Sequence, residues 1–179
     1  MGCNPRIEDD SYDFFQNIDT YTQNSEAVFS HVSSAQSSTK CTSFSSRYQP
    51  PNDKIAKDIC EEFTKLYKSL SPYNTKPNYK NDCLFLNYWI NFRLMERNFN
   101  GIDCVKNFGN LMEADCTDTC GSASSLKFIY DIDKDNLYKM NKLYKLHEHI
   151  SKMYNILIKR SNGEPNSSLT LSDESLENY

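Results

Sequence analysis

Residues 81–95 read Asn81-Asp82-Cys83-Leu84-Phe85-Leu86-Asn87-Tyr88-Trp89-Ile90-Asn91-Phe92-Arg93-Leu94-Met95, a helix-length run that is apolar on nearly every face. A helix that greasy all round rests only where other helices cover it, so this run predicts the buried central member of a bundle. At 179 residues the chain has the size of one domain, long enough to bury its own core. Its apolar residues are mostly Leu, Ile, Phe and Tyr, and it has only 5 Gly, which favours helices over a turn-rich β architecture. The expected class is all-α: a disulfide-stabilised helical bundle with a buried central helix and a long C-terminal helix.

The other helices arrange themselves around that run. Residues 11–31 carry Phe14, Phe15, Ile18, Tyr21, Val28 and Phe29 at mostly three-to-four spacing. The Ser- and Thr-rich stretch 33–46, whose hydroxyls compete with helix formation, reads as a surface loop tied down at Cys41 and closed by Pro50-Pro51. Residues 53–70 give the cleanest amphipathic pattern, with Ile55, Ile59, Phe63, Leu66, Tyr67 and Leu70 on one face and Cys60 beside it. The central helix is expected over 79–97 and a shorter one over 102–114, with Cys104 near its start. A long helix follows to about Arg160, its apolar stripe drawn through Leu137, Met140, Leu143, Tyr144, His147, Ile150, Met153, Tyr154, Leu157 and Ile158. The expected core therefore includes Phe63, Leu66, Leu86, Trp89, Ile90, Leu143 and Ile150. Residues 1–160 form the folded unit in this reading. Residues 161–179, polar and acidic without periodicity, form a flexible linker or tail.

Seven cysteines, Cys3, Cys41, Cys60, Cys83, Cys104, Cys116 and Cys120, lie in dispersed contexts, which reads as a disulfide framework built in an oxidising compartment. Structural zinc needs repeated ligand pairs, and the one close pair, Cys116-x-x-x-Cys120, has no match. If the helices over 53–70, 81–97 and 102–114 alternate in direction, Cys60 and Cys104 lie at similar heights, and Cys83 lies opposite about Cys116. A direct Cys60–Cys83 bridge would leave its ends about 13 Å apart along the axis, beyond the ~7 Å Cα limit. The expected pairs are Cys60 with Cys104 and Cys83 with Cys116, while Cys41 takes Cys3 or Cys120 and one thiol stays free.

No chemistry announces itself. Asp131, Asp133 and Asp135 alternate as calcium ligands would, but the sixth and twelfth positions of such a loop are Asn136 and Lys142 where Gly and Glu are needed, so helix capping is the reading. His147-Glu148-His149 places its histidines on different sides of a helix, unlike a zinc-protease pair. There is no phosphate-binding glycine loop, and no cofactor is expected. The net charge of −4 and the Lys residues scattered among acids give no phosphate-binding stripe, so no nucleic-acid partner is expected. No segment reaches the ~18 to 20 consecutive apolar residues that cross a bilayer. Gly2-Cys3 lacks the Ser or Thr that myristoylation wants at the sixth position, which is Arg6. Asn166-Ser167-Ser168 is a lone glycosylation sequon in the expected tail.

Three blocks carry a resemblance: Asp58-Ile59-Cys60-x-x-Phe63-x-Lys65-Leu66-Tyr67; Asp82-Cys83-x-Phe85-Leu86-Asn87-Tyr88-Trp89-Ile90-Asn91; and Phe128-Ile129-Tyr130-Asp131-Ile132 with Leu137-Tyr138-Lys139-Met140 and Leu143-Tyr144-Lys145-Leu146. Over about two thirds of its length the chain resembles the Plasmodium interspersed repeat (PIR) proteins, in particular their vivax variant (VIR) branch. The resemblance implies a helical, disulfide-held ectodomain of a variant antigen exported by a malaria parasite to the surface of the infected erythrocyte. It implies roles in antigenic variation, immune evasion and adhesion, a host cell-surface protein receptor and host antibodies as partners, and no enzymatic activity. Many relatives continue into a C-terminal transmembrane helix after a variable linker; this sequence ends in its acidic tail, as an ectodomain piece or a short member would, and a membrane is expected as a partner only through such an anchor. A monomer is expected. The alternatives are a soluble exported decoy antigen or scaffold without a receptor and, more remotely, an enzyme.

Overall fold

Ten of the eighteen residues of one helix, Tyr79–Glu96, are buried, and apolar and amide side chains alternate around its whole circumference. No single face is left for water, so other elements must surround it. In the computed structural model, which describes residues 12–30, 39–70, 77–101, 104–116 and 126–161 (at 29, 30, 116 and 159–161 the backbone alone), they do. In chain order the elements are a 3-10 turn Tyr12–Asn17, α1 (Ile18–Ser30), α2 (Thr39–Ser45), α3 (Asn52–Leu70), α4 (Tyr79–Glu96), α5 (Val105–Cys116), a 3-10 turn Leu126–Phe128 and α6 (Lys134–Ser161). No strand occurs among the described residues, and the fold is an all-α, disulfide-bonded helical bundle. Helix α4 touches α3, α5, α6 and both 3-10 turns.

Phe63 and Leu66 of α3 are fully buried against the α4 layer that holds Leu86, Trp89 and Ile90. Around Phe85 the core is aromatic: Tyr21 stacks on it at 4.3 Å with its ring nearly parallel, and Phe14 and Tyr88 lie within 6.3 Å. The buried Tyr21 hydroxyl donates to Asp82 Oδ1 at 2.8 Å, so the polar tip of the ring is satisfied inside the core. Burial and the neighbouring Asp82 carboxylate both push the Tyr21 phenol well above its ordinary range. Helix α4 ends at Asn98, a non-glycine residue at φ 50°, where the Asn98 and Phe99 amides close back on the Met95 and Leu94 carbonyls. At α5 the contact needs Gly109, because a Cβ there would meet the side chain of Ile129 at 3.0 Å.

The hydroxyl-rich stretch read as a loop contains a helix. Cys41, Phe44 and Ser45 of α2 are buried, and α2 packs on α3 and α5. Hydroxyls at its end bond back onto its carbonyls: Ser45 Oγ donates to the Thr42 carbonyl at 3.0 Å and Ser46 Oγ, in the turn that follows, to the Ser43 carbonyl at 2.7 Å. They thus reinforce the turn that such hydroxyls were expected to break.

This helix also corrects the expected disulfides. Cys41 is bonded to Cys60, with the Cα atoms 5.6 Å apart, so Cys60 does not take Cys104. As part of a loop over 33–46 Cys41 has no fixed height among alternating helices, whereas α2 lays it directly on α3. Cys104 is disulfide-bonded, to neither Cys60 nor Cys83. Cys83 is a free thiol, not a partner of Cys116: it is buried in α4 beside Tyr79, and desolvation pushes its pKa up to about 11. Cys3, the Cys116 side chain and Cys120 lie outside the described residues, as does the segment 162–179 read as a tail.

The Cys41–Cys60 bond closes a loop of 19 residues. By chain entropy alone, replacing both with serine should cost about 3 kcal/mol. Guanidinium unfolding of the Cys41→Ser/Cys60→Ser protein measures it, and a midpoint equal to that of the parent chain would show that the bond contributes nothing.

Leu143 and Ile150 are corrected as well, being 39% and 47% exposed. The reason is helical phase. Leu137, Met140 and Tyr144 face α1 and α4, and at 100° per residue Leu143 and Ile150 sit about 100° to 120° around the helix from Tyr144. At 28 residues α6 is about 42 Å long, more than twice the ~20 Å of the 13-residue α1 beside it. Its partners cover one face and part of the length.

Candidate binding face

The orientation of α6 is set at its start. Asp133 caps it, its Oδ1 accepting from the amides of Asp135 at 3.0 Å and Asn136 at 3.3 Å. Asp131 caps a different helix: its Oδ1 accepts from the Val105 amide at 2.8 Å and its Oδ2 from the Lys106 amide at 3.3 Å, at the start of α5. The aspartate alternation that resembles a calcium loop is therefore two helix caps on one short segment. Among the described residues no group of three or more His, Cys, Asp or Glu side chains converges as metal ligands would.

The same segment is fixed from beneath by α4. Asn87 Oδ1 accepts from the Tyr130 amide at 2.9 Å, while Asn91 accepts from the Ile132 amide at 3.1 Å and donates to the Tyr130 carbonyl at 2.9 Å. Two buried amide side chains thus imitate the edge of a strand for residues 130–132, which accounts for the asparagines inside an otherwise greasy helix. From there Leu137 and Met140 enter the core, Tyr144 packs 5.7 Å from Tyr88, His147 lies 5.9 Å from Phe15, and Ser151 Oγ donates to Asp19 at 2.7 Å. His149 is exposed, on the far side from His147.

Away from that packed face runs a continuous apolar stripe. Leu143, Leu146, Ile150, Met153 and Leu157 are all exposed, rising from 39% at Leu143 to 61% at Leu157. They lie 100° to 180° around the helix from Tyr144 and span 14 residues, about 21 Å. Tyr138 and Tyr154, 58% and 62% exposed, stand at its borders. Single exposed apolar residues are ordinary, but a row of five on one helix is more than scattered exposure.

The helix is also basic. Residues 134–161 contain six Lys and one Arg against Asp135 and Glu148, a net charge of +5 in a chain whose total is −4. Glu148 is bonded to Lys152 at 2.7 Å, which uses one charge of each sign. The exposed Lys139, Lys142 and Lys145 lie around the N-terminal end of the stripe, with the Lys142 ammonium 5.4 Å over the Tyr138 ring. Reading the lysines as scattered among acids missed this, because the acids lie elsewhere along the chain. The spacing of the stripe was readable once Leu146 is counted: 143, 146, 150, 153 and 157 step by three and four in turn, two residues in every seven.

Elsewhere the polar groups serve the fold. Arg93 bridges Glu62 of α3 at 2.9 Å, pairs with Glu96 and lies 5.8 Å from the Trp89 ring centre, which locks α3 to α4. Arg47 bonds Asp115 at 2.7 Å, and that guanidinium holds the Asp115 carboxyl below its ordinary range. No helix of the described residues is long and apolar enough to cross a membrane. In comparison with known proteins, the chain matches no protein-family profile, no curated protein and no solved structure.

Proposed function

We propose that the chain is the ectodomain of a variant surface antigen of a malaria parasite, of the Plasmodium interspersed repeat type, exported to the infected erythrocyte. It acts in antigenic variation and adheres to a host cell-surface protein, and it is no enzyme. The observation that carries the adhesive part is the exposed stripe of α6, since a decoy antigen needs only a folded surface and has no use for 21 Å of exposed apolar helix. The disulfide-bonded core fits an extracellular setting. The solvated faces of the surrounding helices tolerate substitution at about half a kcal/mol or less, which a variable antigen requires. Host antibodies are then partners of the remaining surface.

The test is adhesion of the fluorescent, multimerised chain to host endothelial cells and erythrocytes, with and without Ile150→Asp. Binding by the parent chain that Ile150→Asp abolishes, with helicity and melting temperature unchanged, is the expected result. Binding that survives Ile150→Asp would remove the stripe from the adhesive role. A parent chain that binds no host cell leaves the soluble decoy as the better reading.

A further inference from the structure

Leu143, Leu146, Ile150, Met153 and Leu157 repeat every 3.5 residues on average, the seam spacing of a coiled coil rather than the broader stripe of a helix laid on a core. We infer that this seam, taking the adhesive reading of α6 as given, docks a helix of the partner protein, one with its own heptad row of apolar residues flanked by Glu or Asp. The charge pattern selects that occupant. In heptad terms the flanking positions hold Lys142, His147, His149, Tyr154 and Ile156, and Lys139 extends the seam itself by one position toward the N-terminus. None of these is acidic. The two acids of the helix are placed elsewhere: Glu148 is bonded to Lys152, and Asp135 lies more than two turns before Leu143.

A second copy of this chain is a poor occupant for that reason. In either register a second copy brings no acid to the flanks, and in parallel register it sets Lys139 against Lys139. A helix with acidic flanks meets Lys139 and Lys142, at the N-terminal end of the seam, with opposite charge. The seam geometry argues equally against a lipid surface as occupant, because a bilayer rewards apolar area and positive charge without regard to a strict three-four alternation.

Two three-heptad peptides with leucine along the seam test the inference, one with Glu and the other with Lys at every flanking position, titrated against the full chain by fluorescence anisotropy. The Glu peptide should bind at least about ten-fold more tightly than the Lys peptide, with the margin shrinking as salt rises. Leu146→Asp and Ile150→Asp should each abolish binding at unchanged helicity, and Lys142→Glu with Lys145→Glu should reduce or reverse the preference. Equal binding of both peptides, or none, overturns the inference. So does uptake on phosphatidylserine vesicles that the Glu peptide fails to displace, or a dimer in sedimentation that Ile150→Asp dissolves. Host-cell adhesion that is lost in Ile150→Asp but not displaced by the Glu peptide sinks the acidic helix alone and leaves the adhesive reading standing. Adhesion indifferent to Ile150→Asp removes the adhesive reading, whatever the peptides do.

Discussion

Trp89→Ala should destabilise the chain by about 3 to 5 kcal/mol, the range for deleting a buried indole from a core that relaxes only in part. Trp89 is 4% exposed on the central helix, which touches α3, α5, α6 and both 3-10 turns. Its ring lies 6.2 Å from Phe63 of α3 and under the Arg93 guanidinium. The loss is therefore double, an apolar cavity between α3 and α4 and a cation left without its aromatic face beside Glu62. Chemical denaturation gives the number. A loss of less than a quarter of the parent's stability would mean that α3 collapses into the space, and Trp89→Phe, which keeps most of the contact, should recover the greater part in any case.

The central helix was legible because its signal is one of quantity. When apolar residues occupy all sides over fifteen positions, no choice of phase is needed, and burial follows from composition alone. The long helix was legible in existence and extent but not in phase. Its apolar residues form two rows, and a list running from Leu137 through Tyr144 to Leu157 merges the row that packs on Tyr88 with the row that faces water. Only the neighbours distinguish them, and the neighbours, α1 and α4, end 38 residues or more before α6 begins. The α2 helix was hidden for the opposite reason: its serines and threonines have poor intrinsic preference, and burial of Cys41 and Phe44 overrides it. Missing α2 then displaced the disulfide, since the helical heights that guided the pairing left out the element carrying Cys41. The asparagines of α4 were visible as residues but had no readable purpose, because their partners are backbone atoms of a segment with no periodicity of its own.

Those asparagines carry the other large effect. Asn91→Leu, close in size but without hydrogen-bonding groups, should cost about 2 to 6 kcal/mol, because it strands the Ile132 amide and the Tyr130 carbonyl at about 1 to 3 kcal/mol each. The buried position admits little water to replace the amide, and Asn87 is already committed to the Tyr130 amide. The consequence is not confined to residue 91. Residues 130–132 lead directly into Asp133, the cap of α6, and Asp131 beside them caps α5, so loosening this segment frees the start of both helices. Hydrogen exchange should show it in order: the Ile132 amide loses protection first, followed by the first turns of α5 and α6, while the center of α3 keeps its protection until global unfolding. Uniform loss across α3, α4 and α6 would show instead that Asn91 acts on the whole core. Unchanged protection at Ile132 would mean that its bond to Asn91 contributes nothing. If the graded pattern holds, peptide binding by the exposed stripe should weaken in Asn91→Leu although no residue of the stripe has changed, because the face of α6 presented to a partner is fixed by how these two asparagines seat the chain before it.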